Sequence, residues 1–135
     1  MIRIVAITRQ ESYIRAIEPE LMMNGIQIAG IFTSFYDVMK KLHEASPNVV
    51  LLDVNIDSHP YQYGFVDIAR LLHEQLPGVQ VVALTSFYSE SVIEEVKNLP
   101  VAGYFYRTIP NAGEYLVNCI QTIVAGKNFF PEKKN

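Results

Sequence analysis

The chain alternates between two hydrophobic periods along its whole length. Short runs rich in β-branched and aromatic residues fall at 2–7, 26–32, 49–53, 79–84 and 102–106, and such runs suit buried strands. Between them, apolar residues recur at helical spacing. The first helical segment, 12–24, is closed by Asn24-Gly25, a good C-terminal stop. Pro19 sits inside it and predicts a kink or a split, because proline removes a helical hydrogen bond. The second opens on Thr33-Ser34, has Asp37 near its first turn, and runs through Val38, Met39 and Leu42. A third carries Val66, Ile68, Ala69, Leu71 and Leu72 and stops before Pro77-Gly78. The fourth begins at Ser89, with Ser91, Glu94 and Glu95 close behind, and ends at Asn98. The last follows "PNAG", repeats Tyr115, Leu116, Cys119, Ile120 and Ile123, and ends at Gly126.

Strands and helices in strict alternation predict an α/β fold, a doubly wound parallel sheet covered on both faces. Right-handed crossovers and near-continuous apolar strands favour the order 2-1-3-4-5. Ligands of such sheets sit at the C-terminal strand ends, where the order reverses. Those ends read Thr8-Arg9-Gln10-Glu11 after strand one, Asp53 after strand three, Thr85-Ser86 after strand four and Arg107-Thr108 after strand five. An aspartate, a hydroxyl and a cation in one crevice suit phosphoryl handling: the carboxylate accepts the group, the hydroxyl binds its oxygen, and the cation balances its charge.

Composition narrows the rest. At 135 residues the chain has the size of one domain, large enough to fold without a disulfide or a structural metal. A formal net charge of -3 argues against direct binding of nucleic acid through phosphates. The lone Cys119 lies on the apolar face of a helical segment and reads as a buried thiol in a reducing cytoplasm. No apolar stretch approaches the roughly twenty residues of a membrane span, so a cytoplasmic protein is expected.

In order along the chain, "VVLLDVN", "VVALTS" and "AGYFYRTIP" resemble three strands of the receiver domain of bacterial two-component response regulators. The spacings, 32 residues from Asp53 to Thr85 and 22 from Thr85 to Arg107, suit that family. "VNCIQTIVAGKNFFPE" is similar to the last helix of receivers that precede a tetrahelical helix-turn-helix DNA-binding domain. The resemblance implies a flavodoxin-like (βα)5 fold, with residues 1–127 as the receiver and 128–135 as a C-terminal tail or the start of a linker. It implies Asp53 as phosphoacceptor, Thr85 as the phosphoryl-binding hydroxyl and Tyr104 as the switch aromatic. Arg107 stands where the family has lysine. Expected partners are a sensor histidine kinase or another signalling protein, and a second copy through the fourth and fifth elements. DNA is expected to be reached only through a C-terminal domain outside this chain.

Three departures stand out. The family's acidic pair after strand one, which holds Mg²⁺ with the phosphoacceptor, is replaced here by Thr8 and Arg9. Mg²⁺ takes oxygen ligands in an octahedron, commonly one or two carboxylates with waters and phosphate. Thr8 and Arg9 cannot supply that pair, which leaves Asp53 and Glu11 as weak metal candidates. Arg107 is a planar fork where a compact ammonium is usual, and the loop "DVNIDSHPYQYG" is about three residues longer than family members have. Two arrangements follow: an Asp53 salt bridge to Arg9 or Arg107 in place of metal and phosphate, or a wet, unpaired Asp53 with Arg9 in solvent. The favoured reading is an atypical receiver, weakly or not phosphorylated, that signals by protein contacts. The alternatives are a competent phosphoacceptor, with Mg²⁺ as cofactor, and a stand-alone adaptor.

Other motifs carry less. His59 in "DSHPYQYG" has the wrong spacing and strand for a cobalamin-type ligand, and His43 and His73 lie in helices without neighbouring ligands. No glycine-rich phosphate loop or nucleophile elbow is present. Tyr104 and Tyr106 fall on one strand face and Phe105 on the other. With Phe87 and Tyr88 they read either as cover for the sheet edge or as an interface.

Overall fold

The computed structural model describes residues 1–34, 38–56 and 64–132. Among the described residues ten elements alternate without exception: β1 (Ile2–Ile7), α1 (Glu11–Met23), β2 (Ile26–Phe32), α2 (Val38–Ala45), β3 (Val49–Asp53), α3 (Phe65–Gln75), β4 (Gln80–Thr85), α4 (Glu90–Lys97), β5 (Gly103–Tyr106) and α5 (Ala112–Val124). All the pairings are parallel and the strand order is β2-β1-β3-β4-β5, as the hydrophobic pattern predicts.

β3 shows why the sheet is central. All its residues are buried, because helices cover both faces and neither needs a polar side chain. Alternation sends Val50 and Leu52 into the cluster beneath α2, α3 and α4, and Val49 and Leu51 into the cluster beneath α1 and α5. Fully burying each such side chain contributes about 1.5–3 kcal/mol before entropy is counted. Among the described residues no helix is long and apolar enough to cross a membrane.

Two local readings shift. Pro19 does not split α1, which is continuous from Glu11 to Met23. Both Pro19 and Arg15, whose carbonyl loses its helical partner, are exposed, so water can take that bond. The buried face, with Ile14 and Leu21, is untouched. β4 begins and ends one residue later than its pattern suggests: Val79 donates to the Leu76 carbonyl at 2.9 Å in the preceding turn, and Thr85 joins the strand opposite Tyr106.

The punctuation of α4 and α5 follows the sequence, whereas α2 runs from Val38 and leaves Thr33-Ser34, its expected opening, outside the helix. Ser89 caps α4 by accepting the Val92 N–H at 3.3 Å, and Gly126 takes φ +96° just past α5, a conformation that favours glycine. Asp37, His59 and most of the lengthened loop lie outside the described residues.

Cys119 is buried on α5 and free, and burial pushes its thiol pKa up to about 12. The thiolate is the reactive form. Ellman's reagent at pH 8 is therefore expected to modify the native chain at least about a hundredfold more slowly than the urea-unfolded chain, an order of magnitude set by the pKa difference. Equal rates would show an accessible thiol. The unfolded thiol ionises first, near 9, while the folded one keeps its proton to about 12. Stability from this group is complete below pH 9 and declines as pH rises through that window.

Candidate functional site

Parallel pairing brings the strand ends together. Ile7 lies opposite Leu52, so Thr8 and Asp53, each one residue further on, emerge side by side. Thr8 is fixed by its N–H to the Phe32 carbonyl at 2.9 Å, and the turn after Asp53 by the Val54 N–H to Leu84 at 2.9 Å. Neighbouring strands thus set the positions of both side chains.

Asp53 is 4% exposed and Thr8 fully buried. The Thr8 hydroxyl accepts the Gln10 N–H at 3.0 Å, and its single proton goes to Asp53 Oδ2 at 2.7 Å. Gln10 Nε2 donates to the same oxygen at 3.3 Å, and the Asn55 N–H donates to Oδ1 at 2.9 Å. A carboxylate only accepts. Both its oxygens are therefore engaged, and every donor among the described residues is neutral.

Among the described residues the salt bridge does not form, and of the second arrangement Arg9 is in solvent as expected while Asp53 is buried and hydrogen-bonded. Arg107, also exposed, donates from Nε to Ser86 Oγ at 3.2 Å, and its guanidinium lies 5.7 Å from the Tyr13 ring centroid, within cation–π range. Asp53 has no ion pair among the described residues and is far from wet. The reason is reach: Thr8, whose hydroxyl is held by the Gln10 N–H, and the Gln10 side chain lie against the carboxylate, whereas Arg107 finds partners nearer its own strand. Glu11 faces Arg15 at 3.8 Å and adds nothing to Asp53.

Thr85 is buried at the end of β4. Tyr104 is fully buried and its hydroxyl donates to the Phe87 carbonyl at 2.8 Å. Burial pushes the Tyr104 pKa up, while hydrogen bonds involving Thr85 and the Ser89 backbone pull the other way. Tyr104 thereby ties β5 to the segment that follows Thr85. Burial also raises the Tyr13 pKa, against the pull of the Arg107 charge.

The residues missed by sequence reasoning are Gln10, Asn55 and Tyr13. Gln10 had a signal: two residues past Thr8 on a chain leaving a strand, it returns to the same face. Asn55 acts through its backbone and Tyr13 through a ring on the next helix, and neither leaves a pattern in side-chain type.

Among the described residues, the donor set around Asp53 does not suit Mg²⁺. It offers one carboxylate already engaged by three donors, and no group of three or more His, Cys, Asp or Glu that could hold a metal occurs among the described residues.

No family model matches the chain. It is 26% identical over 95 residues to the transcriptional regulatory protein LnrK of Bacillus subtilis, covering 70% of this chain and 40% of that protein. It is 27% identical over 107 residues to the response regulator GacA of Pseudomonas viridiflava, covering 79% of this chain and 47% of that protein. The chain thus spans less than half the length of these curated relatives. Its fold is similar to that of the non-phosphorylated receiver domain of RcsB from Escherichia coli, with a TM-score of 0.83 at 17% identity over 97% of this chain and 98% of that one. The isolated RcsB receiver from Salmonella enterica with the phosphomimetic BeF₃⁻ gives 0.82 at 16% identity, covering 97% and 94%. RcsB is also known as dimers bound to DNA; against that structure the TM-score is 0.82 at 17% identity, over 97% of this chain and 64% of that one.

Proposed function

We propose that this response-regulator receiver domain signals through protein contacts, with Mg²⁺-dependent phosphorylation of Asp53 weak or absent. The observation that carries the reading is the set of neutral donors on Asp53. A receiver that works by phosphoryl transfer gathers a cation around its carboxylate, to offset the charge that builds up on the transferring group. Here Thr8 and Gln10 occupy that position, and Glu11 is engaged elsewhere. The contact face in this reading is formed by α4, β5 and α5, where Tyr88, Tyr106 and Tyr115 cluster, since aromatic residues are favoured anchors. In this reading the domain is part of a transcription regulator and reaches DNA through a separate C-terminal domain, which the printed roles of its relatives support.

Incubation with acetyl phosphate and Mg²⁺, read by intact mass, is expected to leave the chain unmodified, like Asp53→Ala. A robust gain of one phosphoryl group that disappears in Asp53→Ala would overturn this reading in favour of a competent phosphoacceptor.

A further inference from the structure

An exposed strand at the rim of a sheet offers unpaired N–H and C=O groups to any other strand. β5 holds that position, but its rim is occupied by the chain itself. The Phe129 N–H donates to Ala102 at 2.8 Å, and Phe129's carbonyl accepts the Tyr104 N–H at 3.1 Å, a parallel bridge opposite Gly103. The segment is seated on both sheet faces, because alternate side chains point opposite ways. Phe129 joins the cluster beneath α1 and α5, and Phe130 the cluster beneath α4. The Phe129 ring meets Tyr115 edge-on at 5.2 Å, Lys97 Nζ lies 5.7 Å from the Phe130 centroid, and Tyr88 donates to the Glu132 carbonyl at 3.4 Å.

β5 is cut to receive this segment. A Cβ on Gly103 would stand 2.9 Å from the Phe129 carbonyl oxygen and 2.7 Å from Ile123 Cδ1. Only a residue without a side chain admits the passing backbone. The backbone pairing is nonetheless short, two hydrogen bonds, and it is reached through the exposed stretch 124–128 with Gly126 at φ +96°. Short, solvent-flanked pairings of this kind open well below the free energy of global unfolding.

We propose that the β5 edge is a strand-acceptor site, closed in cis by residues 128–132 and open, when they lift, to the same segment of a second copy. The second copy is the occupant because it carries the sequence the site already fits: an aromatic for each sheet face, then proline. Exchange of an identical element is a low-cost route to a dimer. The inference rests on the reading that α4, β5 and α5 form the contact face and says how that face is gated. The two can fail separately, since the size of the natural chain in solution tests the face and the following measurements test the gate.

The test uses the full chain with Phe129→Ala/Phe130→Ala and a dye-labelled peptide of sequence GKNFFPE. The variant is expected to bind the peptide saturably and the natural chain at least about tenfold more weakly, because its own segment competes at an effective concentration in the millimolar range. Binding by neither chain, or equally by both, overturns the proposal. An equimolar mixture of variant and natural chains should show a one-to-one dimer by native mass spectrometry, and peptide binding without that dimer overturns the second copy as occupant. Should the variant fail to fold, amide exchange of the natural chain decides. The N–H groups of Phe129 and Tyr104 are expected to exchange at least about tenfold faster than those of β3, and exchange in step with β3 means that the segment does not lift.

Discussion

Replacing Thr8 and Arg9 together by aspartate is expected to make the melting temperature depend on Mg²⁺, while the natural chain's stays unchanged. Thr8 is fully buried and gives Asp53 its shortest hydrogen bond. A carboxylate in its place removes that proton and sets a second negative charge beside the first. Leaving a buried charge uncompensated costs roughly 3–5 kcal/mol, so the variant alone is distinctly less stable. Adding Mg²⁺ supplies the positive charge that the three carboxylates lack. A ligand that binds only the folded state stabilises it by about 2.7 kcal/mol at a hundred times its Kd. For a domain of this size that is roughly 10 °C. Differential scanning fluorimetry with and without millimolar Mg²⁺ reads the effect directly, with Ca²⁺ and NaCl as controls. The explanation fails if the variant ignores Mg²⁺, or if the natural chain responds as strongly.

The fold was legible because period and position reinforce each other. Val49 to Leu52 are apolar without alternation, which only a strand covered on both faces tolerates, and the structure buries every one. Asp53, Thr85 and Arg107 were placed correctly for the same reason: a parallel sheet sends all its strand ends to one rim. What the rim residues do there was less legible. Arg107 was read by charge, but an exposed cation with a hydroxyl and a ring in reach, Ser86 and Tyr13, does not have to cross the crevice. Gln10 was named only as one residue of the strand-one end and given no role, although its backbone and side chain both serve the Thr8–Asp53 pair. Residues 128–132 were read as tail, yet Phe129 bonds to β5 on both sides of Gly103. Such contacts depend on rotamers and on a few tenths of an ångström, and residue type alone does not encode them.

Asp53→Asn is expected to destabilise the chain by about 1–3 kcal/mol, the usual cost of leaving a buried polar group unsatisfied. The sign is the informative part. In a pocket crowded with carboxylates, neutralising one relieves repulsion and stabilises the fold. Here the neighbours of Asp53 are all donors: the Thr8 hydroxyl and the Gln10 amide on Oδ2, and the Asn55 N–H on Oδ1. An asparagine amide has one oxygen. With that oxygen toward Thr8 and Gln10, its NH₂ confronts the Asn55 N–H; turned the other way, NH₂ meets the Gln10 amide and the committed Thr8 proton. The first rotamer sets donor against donor; in the second, Thr8 Oγ and Gln10 Oε1 can accept the NH₂ only by turning away from their present geometry. Urea unfolding should show the midpoint falling by roughly 0.5–2 M, from that loss and a slope of about 1–3 kcal/mol/M. Thr8→Val removes the same contact from its other end, so the two changes together should cost less than the sum of each alone. An Asp53→Asn chain more stable than the natural one would mean that Asp53 is strained by unbalanced charge, and that the neutral donors do not hold it.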